Sequence, residues 1–193
     1  MKHILFVCTG NTCRSPMAEG IFAGLVHKEG LDIEIRSAGV FAIDHHTISE
    51  NAAKILKEKG LSNEIVSNKV TEEWVNWADY IFAMTMNHKR HIIEYYPQAA
   101  EKTFTLKEYV EDSAEVMDLI VEREKLIADL QMRLSLGEEI PNHLKQQLME
   151  LESNLPDYDI ADPYGGTIVD YKMVAEEIED YLNKLLIRFK TEK

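Results

Sequence analysis

Short apolar runs alternate along this chain with longer stretches of helical spacing, and that order constrains the fold more than any other feature. HILFV (His3–Val7) is compact, apolar and bounded by a Gly turn, as a buried parallel strand requires. IEIRSAG, ADYIFAMT and the start of KTFTLKEYV repeat the pattern further along. Between them, MAEGIFAGLVHKEG carries Ile21, Phe22, Leu25 and Val26 at helical spacing and stops at Gly30, with Ser15 and Pro16 placed as N-cap and first-turn residues. A second helix is predicted over Ser49–Lys59, closed by Gly60, with Ala52, Ala53, Ile55 and Leu56 inward. MNHKRHIIEYY forms a third, ended by Pro97, and KTFTLKEYV runs from its strand into a short helix. A long terminal helix spans about Ile168–Phe189 on a stripe of Val174, Ile178, Tyr181, Leu182 and Leu185. Strands in alternation with helices predict an α/β domain: a four-stranded parallel sheet with helices on both faces. At 193 residues, 1–193 is read as a single domain with room for an appendage.

That appendage has its own composition. From Glu111 to Asp157 the chain holds 12 acidic and 4 basic side chains, against 22 and 17 elsewhere. SAEVMDLIVEREKLIADLQMRL has apolar residues at 116, 119, 120, 126, 127, 130 and 134, and SLGEEIP then interrupts. NHLKQQLMELE resumes the rhythm through Leu144, Leu148 and Leu151, so an inserted acidic helical hairpin is expected at about 112–157. It reads first as a solvated decoration, and otherwise as a lid or as a surface for a basic or helical partner or for self-association. The overall net charge of −13 argues against nucleic-acid binding and requires any anion site to be local. No apolar run is long enough to span a membrane, and the N-terminal run lacks a cleavage-site pattern. Two cysteines without an export signal point to a reducing, cytoplasmic setting.

The chemistry concentrates in VCTGNTCRSPMAEG, which follows the first strand. Cys8 there is either a buried structural thiol or a nucleophile. A thiolate that takes a phosphoryl group from a monoester or phosphoramidate, then yields it to water, needs three things. Its thiol must ionise, although a free cysteine has a pKa of about 8.5. The phosphoryl oxygens need converging donors, and the leaving group needs a proton. A loop between a strand end and a helix N-terminus supplies backbone N–H groups and the helix dipole. Gly10 lets such a loop curl, Arg14 closes it with a planar fork six positions after Cys8, and Ser15 can donate to the sulfur.

This stretch resembles the signature of the low-molecular-weight protein tyrosine phosphatase family. RSAGV, AMTMNHK and ADPYGG fall at matching places, so the resemblance covers Met1–Tyr109 and Ile160–Lys193. The acidic hairpin departs from it, since such proteins ordinarily have a short loop there. The resemblance implies a phosphocysteine at Cys8, a phosphate-binding loop of Thr9, Gly10, Asn11, Thr12, Cys13, Arg14 and Ser15, and Asp162 as general acid with Pro163 fixing its backbone. Without it, Asp162–Pro163 reads equally as a plain turn. It also implies cleft walls from Phe41 and Tyr164, and a left-handed backbone at Asn11.

Threonine at 12 resembles the bacterial protein arginine phosphatase subgroup, whereas many tyrosine-directed members of the family carry a bulkier β-branched apolar residue at that position. A phosphorylated protein is the implied substrate, carrying phosphoarginine or, alternatively, phosphotyrosine, with phosphate ion as product and inhibitor. Cys13 is read either as a packing residue or as the disulfide partner of Cys8. An arsenate reductase of the thioredoxin-linked kind would need a further cysteine pair, and a non-enzymatic phosphate-binding module would lack one of Cys8, Arg14 and Asp162. No cofactor and no metal are expected: His45, His46, His88 and His91 lack ligand spacing and read as surface histidines.

Overall fold

The computed structural model describes residues 1–111 and 113–191. Four parallel strands, β1 (Lys2–Cys8), β2 (Ile33–Gly39), β3 (Tyr80–Ala83) and β4 (Thr103–Thr105), form one sheet in the order β2-β1-β3-β4. The expected fold class is thus observed. β1 lies between β2 and β3, and Ile4, Leu5, Phe6 and Val7 are fully buried, which is why its sequence shows no alternation. The chain leaves β1 toward β2, then returns to add β3 on the other side. That reversal opens a crevice at the carboxyl end of β1, where Cys8 sits.

Helices cover both faces. α1 (Arg14–Glu29), α2 (Glu50–Glu58), α5 (Leu106–Val110) and α8 (Ile168–Thr191) pack with Ile4, Phe6 and Phe82 in the larger apolar cluster. α3 (Glu72–Trp77) and α4 (Met86–Tyr95) cover Leu5, Val7 and Ile81 on the other face, and a 3₁₀ turn at Pro97–Lys102 leads into β4. Ser49, Thr71 and Thr85 accept the N–H groups of Ala52, Trp74 and His88, capping α2, α3 and α4. α1 corrects one expectation. Its N-cap is Cys13, with no side-chain cap, and Ser15 lies inside the first turn with its hydroxyl turned to Cys8. The loop's curvature starts the helix two residues before the sequence signal. On α8, Tyr181 is half-buried beside the buried Val174, Ile178, Leu182 and Leu185.

The chain divides into two compact units, Met1–Val110 with Tyr158–Lys193, and Glu111–Asp157. In the second, α6 (Ala114–Ser135), capped by Ser113, and α7 (Asn142–Asn154) close a small core of Leu126, Leu130 and Leu151. The expected hairpin boundary at 112 and chain positions 192 and 193 lie outside the described residues. Among the described residues no helix is long and apolar enough to cross a membrane.

Candidate active site

Cys8 ends β1 beside Gly39 of β2, and five residues later the chain turns into α1. The loop's own carbonyls are tied back to β2 and the residues after it. Cys8 O accepts Val40 N–H at 3.0 Å, Thr9 O accepts Phe41 N–H at 2.9 Å, and Thr12 O accepts Ser49 N–H at 2.9 Å. With these carbonyls turned outward, the loop's amide hydrogens are free for an anion. The tight approach falls on Gly39 and not on Gly10. A Cβ at 39 would meet Thr9 O at 2.6 Å and Asn11 N at 2.8 Å, whereas one at 10 would meet only Thr12 Oγ1, at 3.6 Å. Asn11 takes φ 53° and is fully buried.

Asn11 holds the loop from inside. Its Nδ2 donates to Ser15 Oγ at 2.9 Å and Ser37 Oγ at 2.8 Å, and its Oδ1 accepts Asn68 N–H at 2.8 Å. Ser15 Oγ donates to Cys8 Sγ at 3.0 Å, a bond that stabilises sulfur in its anionic state. Behind the loop, buried His88 joins Thr9 Oγ1 at 2.8 Å and Thr85 Oγ1 at 2.9 Å. Burial first, and Arg14 second, push its pKa down to about 4, so the ring is neutral at pH 7. This corrects its reading as a surface histidine. His91 is half-buried against Phe41, at 4.9 Å between ring centroids, while His45 and His46 are exposed.

Arg14 crosses from the loop to the segment before α8. Its Nη1 donates to Ile160 O at 3.1 Å and its Nη2 to Asp162 Oδ2 at 2.7 Å. The guanidinium side chain is 5% exposed and the carboxylate 48%, so Asp162 sits at the mouth. Asp162 Oδ1 accepts Tyr164 N–H at 3.2 Å, which orients the carboxyl group beside Pro163. Cys13 Sγ lies 3.0 Å from Tyr171 Oη and 3.7 Å from Ser49 Oγ, and both cysteines are free thiols. Burial raises the Tyr171 phenol to about 12.

A cavity of about 340 Å³ opens over this arrangement. Cys8, Thr9, Gly10, Thr12, Cys13, Arg14, Phe41, Asp162 and Tyr164 line it, so the residues expected from the sequence come together here. Asn11 and Ser15 lie beneath the floor, buried. Phe41 and Tyr164 rise as walls, 67% and 79% exposed. Sequence reasoning missed Ile43, His46 and Ser67, which also line the cavity, and Ser37 and Asn68 behind it. Ile43, His46, Ser67 and Asn68 follow β2 with no local spacing to mark them, and Ser37 lies within β2, in the RSAGV stretch. No group of three or more metal-ligating side chains gathers among the described residues.

A parallel sheet whose central strand delivers a cysteine into a loop closed by arginine, with a carboxyl group at the rim, defines a cysteine-dependent phosphatase. Residues 3–151 match the family described as low molecular weight phosphotyrosine protein phosphatase, and the chain belongs to it. A protein-arginine-phosphatase of Geobacillus stearothermophilus is 35% identical over 191 residues, covering 99% of this chain and 98% of that one. The low molecular weight protein-tyrosine-phosphatase PtpB of Staphylococcus haemolyticus is 36% identical over 116 residues, 60% of this chain and 80% of its own. Among solved structures, a YwlE arginine phosphatase variant with a phosphorylated active-site serine matches with a TM-score of 0.74 and 33% identity, covering 99% and 97%. The family acts on phosphorylated proteins through a phosphoenzyme.

Proposed function

We propose that this protein phosphatase acts on phosphoarginine side chains, with Cys8 as nucleophile, Arg14 and the loop amides as phosphoryl cradle, and Asp162 as general acid and base. Phosphoryl oxygens take over the Arg14 Nη2 donor that Asp162 now occupies, and Arg14 Nε, buried without an acceptor among the described residues, adds another. The Cys8 thiolate attacks phosphorus; the S–P bond forms and the P–N bond breaks. The departing guanidino nitrogen takes the proton of Asp162 and leaves as a guanidinium. The Asp162 carboxylate then accepts a proton from water as that water attacks phosphorus. The S–P bond breaks, and inorganic phosphate and the thiolate are released. Ser15 stabilises sulfur as it departs.

The observation that carries the arginine reading is Thr12, small and hydroxylated, in the cavity wall with Cys8 and Asp162. A hydroxyl there can accept from a guanidinium, where a larger β-branched apolar side chain would crowd its planar head. The whole-length similarity to a named arginine phosphatase supports the same reading. Phosphotyrosine is the second reading, favoured by the exposed rings of Phe41 and Tyr164, which can flank a phenyl group. Paired peptides differing only in the phosphorylated residue decide between them. The unmodified enzyme should favour phosphoarginine in kcat/KM, and Thr12→Ile should lower that value about tenfold while sparing phosphotyrosine. Preference of the unmodified enzyme for phosphotyrosine would overturn the assignment.

Cys13 is the resolving thiol in this reading. Peroxide converts the Cys8 thiolate to a sulfenic acid, and Cys13 displaces water to close a disulfide that thiols reopen. Inactivation that reductant fails to reverse would exclude it. Two free thiols lining one cavity suit a reducing, cytoplasmic compartment. The acidic hairpin is read as a docking face for a basic or helical partner.

A further inference from the structure

Phe41, a wall of the catalytic cleft, also borders a second hollow. This cavity, about 430 Å³ in volume, shares Thr9, Arg14 and Phe41 with the catalytic one and adds Asn87, His91 and Asp159 from α4 and the segment before α8. The backbone at Phe41 is fixed: its N–H donates to Thr9 O at 2.9 Å, and that of Val40 to Cys8 O at 3.0 Å. Its ring is 67% exposed and has open space in both hollows. What the ring meets is His91, edge to face, with centroids 4.9 Å apart and planes at 66°. His91 lies in turn against Tyr95, one helical turn further along α4, at 4.5 Å and 30°. Three rings thus stand in series from the cleft outward along α4.

We propose that His91 is a positioning residue: braced by Tyr95, it holds the Phe41 ring in place as a wall of the cleft and so sets the affinity for the phosphorylated side chain. The inference deepens the proposed phosphatase reading, in which Phe41 flanks the group that brings phosphorus to Cys8. An aromatic wall binds a planar guanidino or phenyl group through its face, and only when that face is turned to the group. A ring free to swing toward the second hollow has to be ordered at each binding event, and the ordering subtracts from affinity. The edge-to-face contact with His91 orders it before substrate arrives. His91 lines the second hollow and not the catalytic cavity, so it acts through Phe41.

The brace is separable from the fold. His91 is half-buried and Tyr95 exposed, whereas α4 is anchored elsewhere, by the fully buried Ile92 and by the Thr85 cap with its bond to His88. Removing the ring at 91 therefore leaves the helix and the phosphate-binding loop in place.

The experiment measures KM and kcat on whichever of the paired phosphoarginine and phosphotyrosine peptides the enzyme prefers, together with inhibition by inorganic phosphate, in the full chain. His91→Ala should raise KM about fivefold, the scale of ordering one side chain, with kcat within about twofold. Inhibition by phosphate should hold within about twofold, since the free ion reaches the loop without meeting the wall. His91→Phe, which restores a ring, should return KM to within about twofold of the unmodified value. Tyr95→Ala should raise KM less than His91→Ala and add nothing to it in the double variant, as links in series do. Labelling with 4-fluorophenylalanine reads the wall without turnover. The Phe41 fluorine resonance, assigned by its loss in Phe41→Leu, should move toward the free amino acid's shift in His91→Ala and stay in His91→Phe. Because this signal needs no substrate, a failed phosphatase assignment is told apart from a failed brace. Unchanged KM and fluorine shift in His91→Ala, no rescue by His91→Phe, additive effects in the double variant, or a parallel loss of phosphate inhibition would each overturn the proposal.

Discussion

Cys8 and Gly39 stand side by side in the β1–β2 register, and the pair shows how one backbone contact sets the chemistry. A methyl group at 39 would press on Thr9 O and Asn11 N, both main-chain atoms that no rotamer change can move. Gly39→Ala should therefore cost about 1–3 kcal/mol in urea denaturation, the scale of an overpacked core, and lower kcat as the loop opens. For the catalytic roles, Asp162→Asn should slow leaving-group departure by about 10²–10⁴-fold, while Cys8→Ser should lose turnover and still bind phosphate. Single-turnover kinetics and phosphate titration check these, and unchanged turnover in Asp162→Asn would remove it from the mechanism. Cys8 and Arg14 were legible in the sequence because a single loop holds both, so their spacing survives folding. Ile43, His46 and Ser67 were not, because separate excursions of the chain carry them to the cavity. Ser15 reads both as a cap, because Ser before Pro usually is one, and as a donor to the sulfur; the hydroxyl donates to Cys8 Sγ and accepts from Asn11, and caps nothing.

At the scale of elements, strands and long helices were readable because their faces are buried in regular periods. β1 and β2 fall where the apolar runs put them, and α8 follows its stripe. α3 escaped because its six residues are shorter than two helical turns, too few for a period to register. The paired helices α6 and α7 were legible from leucine spacing alone, since Leu126, Leu130 and Leu151 meet in their own small core. All residues lining the catalytic cavity belong to the other unit. Replacing 113–157 by a short linker should therefore leave kcat/KM on a small phosphopeptide within about twofold, as for surface changes remote from a site. A large fall in kcat/KM would show that the hairpin takes part in catalysis. Unaltered assembly and partner capture would reduce it to a decoration.

Over the whole molecule, buried His88 and half-buried Glu19 pull stability in opposite directions with pH. His88 is held neutral, its pKa lowered to about 4, so its contribution is present above its unfolded value of 6.5 and is lost as pH falls from there toward 4. At pH 5 that loss is on the order of 2 kcal/mol. Glu19 is held protonated, raised from 4.5 to about 7, so its contribution is present below 4.5 and is lost as pH rises through 7. The unmodified protein should show a shallow stability profile between pH 5 and 7 by urea denaturation. Glu19→Gln should make it steeply acid-sensitive, and His88→Gln should make stability fall as pH rises; parallel profiles in all three would refute the balance. The Arg14–Asp162 bond, 148 residues apart in sequence, has a consequence for biosynthesis. A ribosome must release position 162 before its carboxyl group can reach the guanidinium. Under the proposed mechanism, the growing polypeptide until then carries its sulfur without the general acid, so an unfinished copy is at best a sluggish hydrolase.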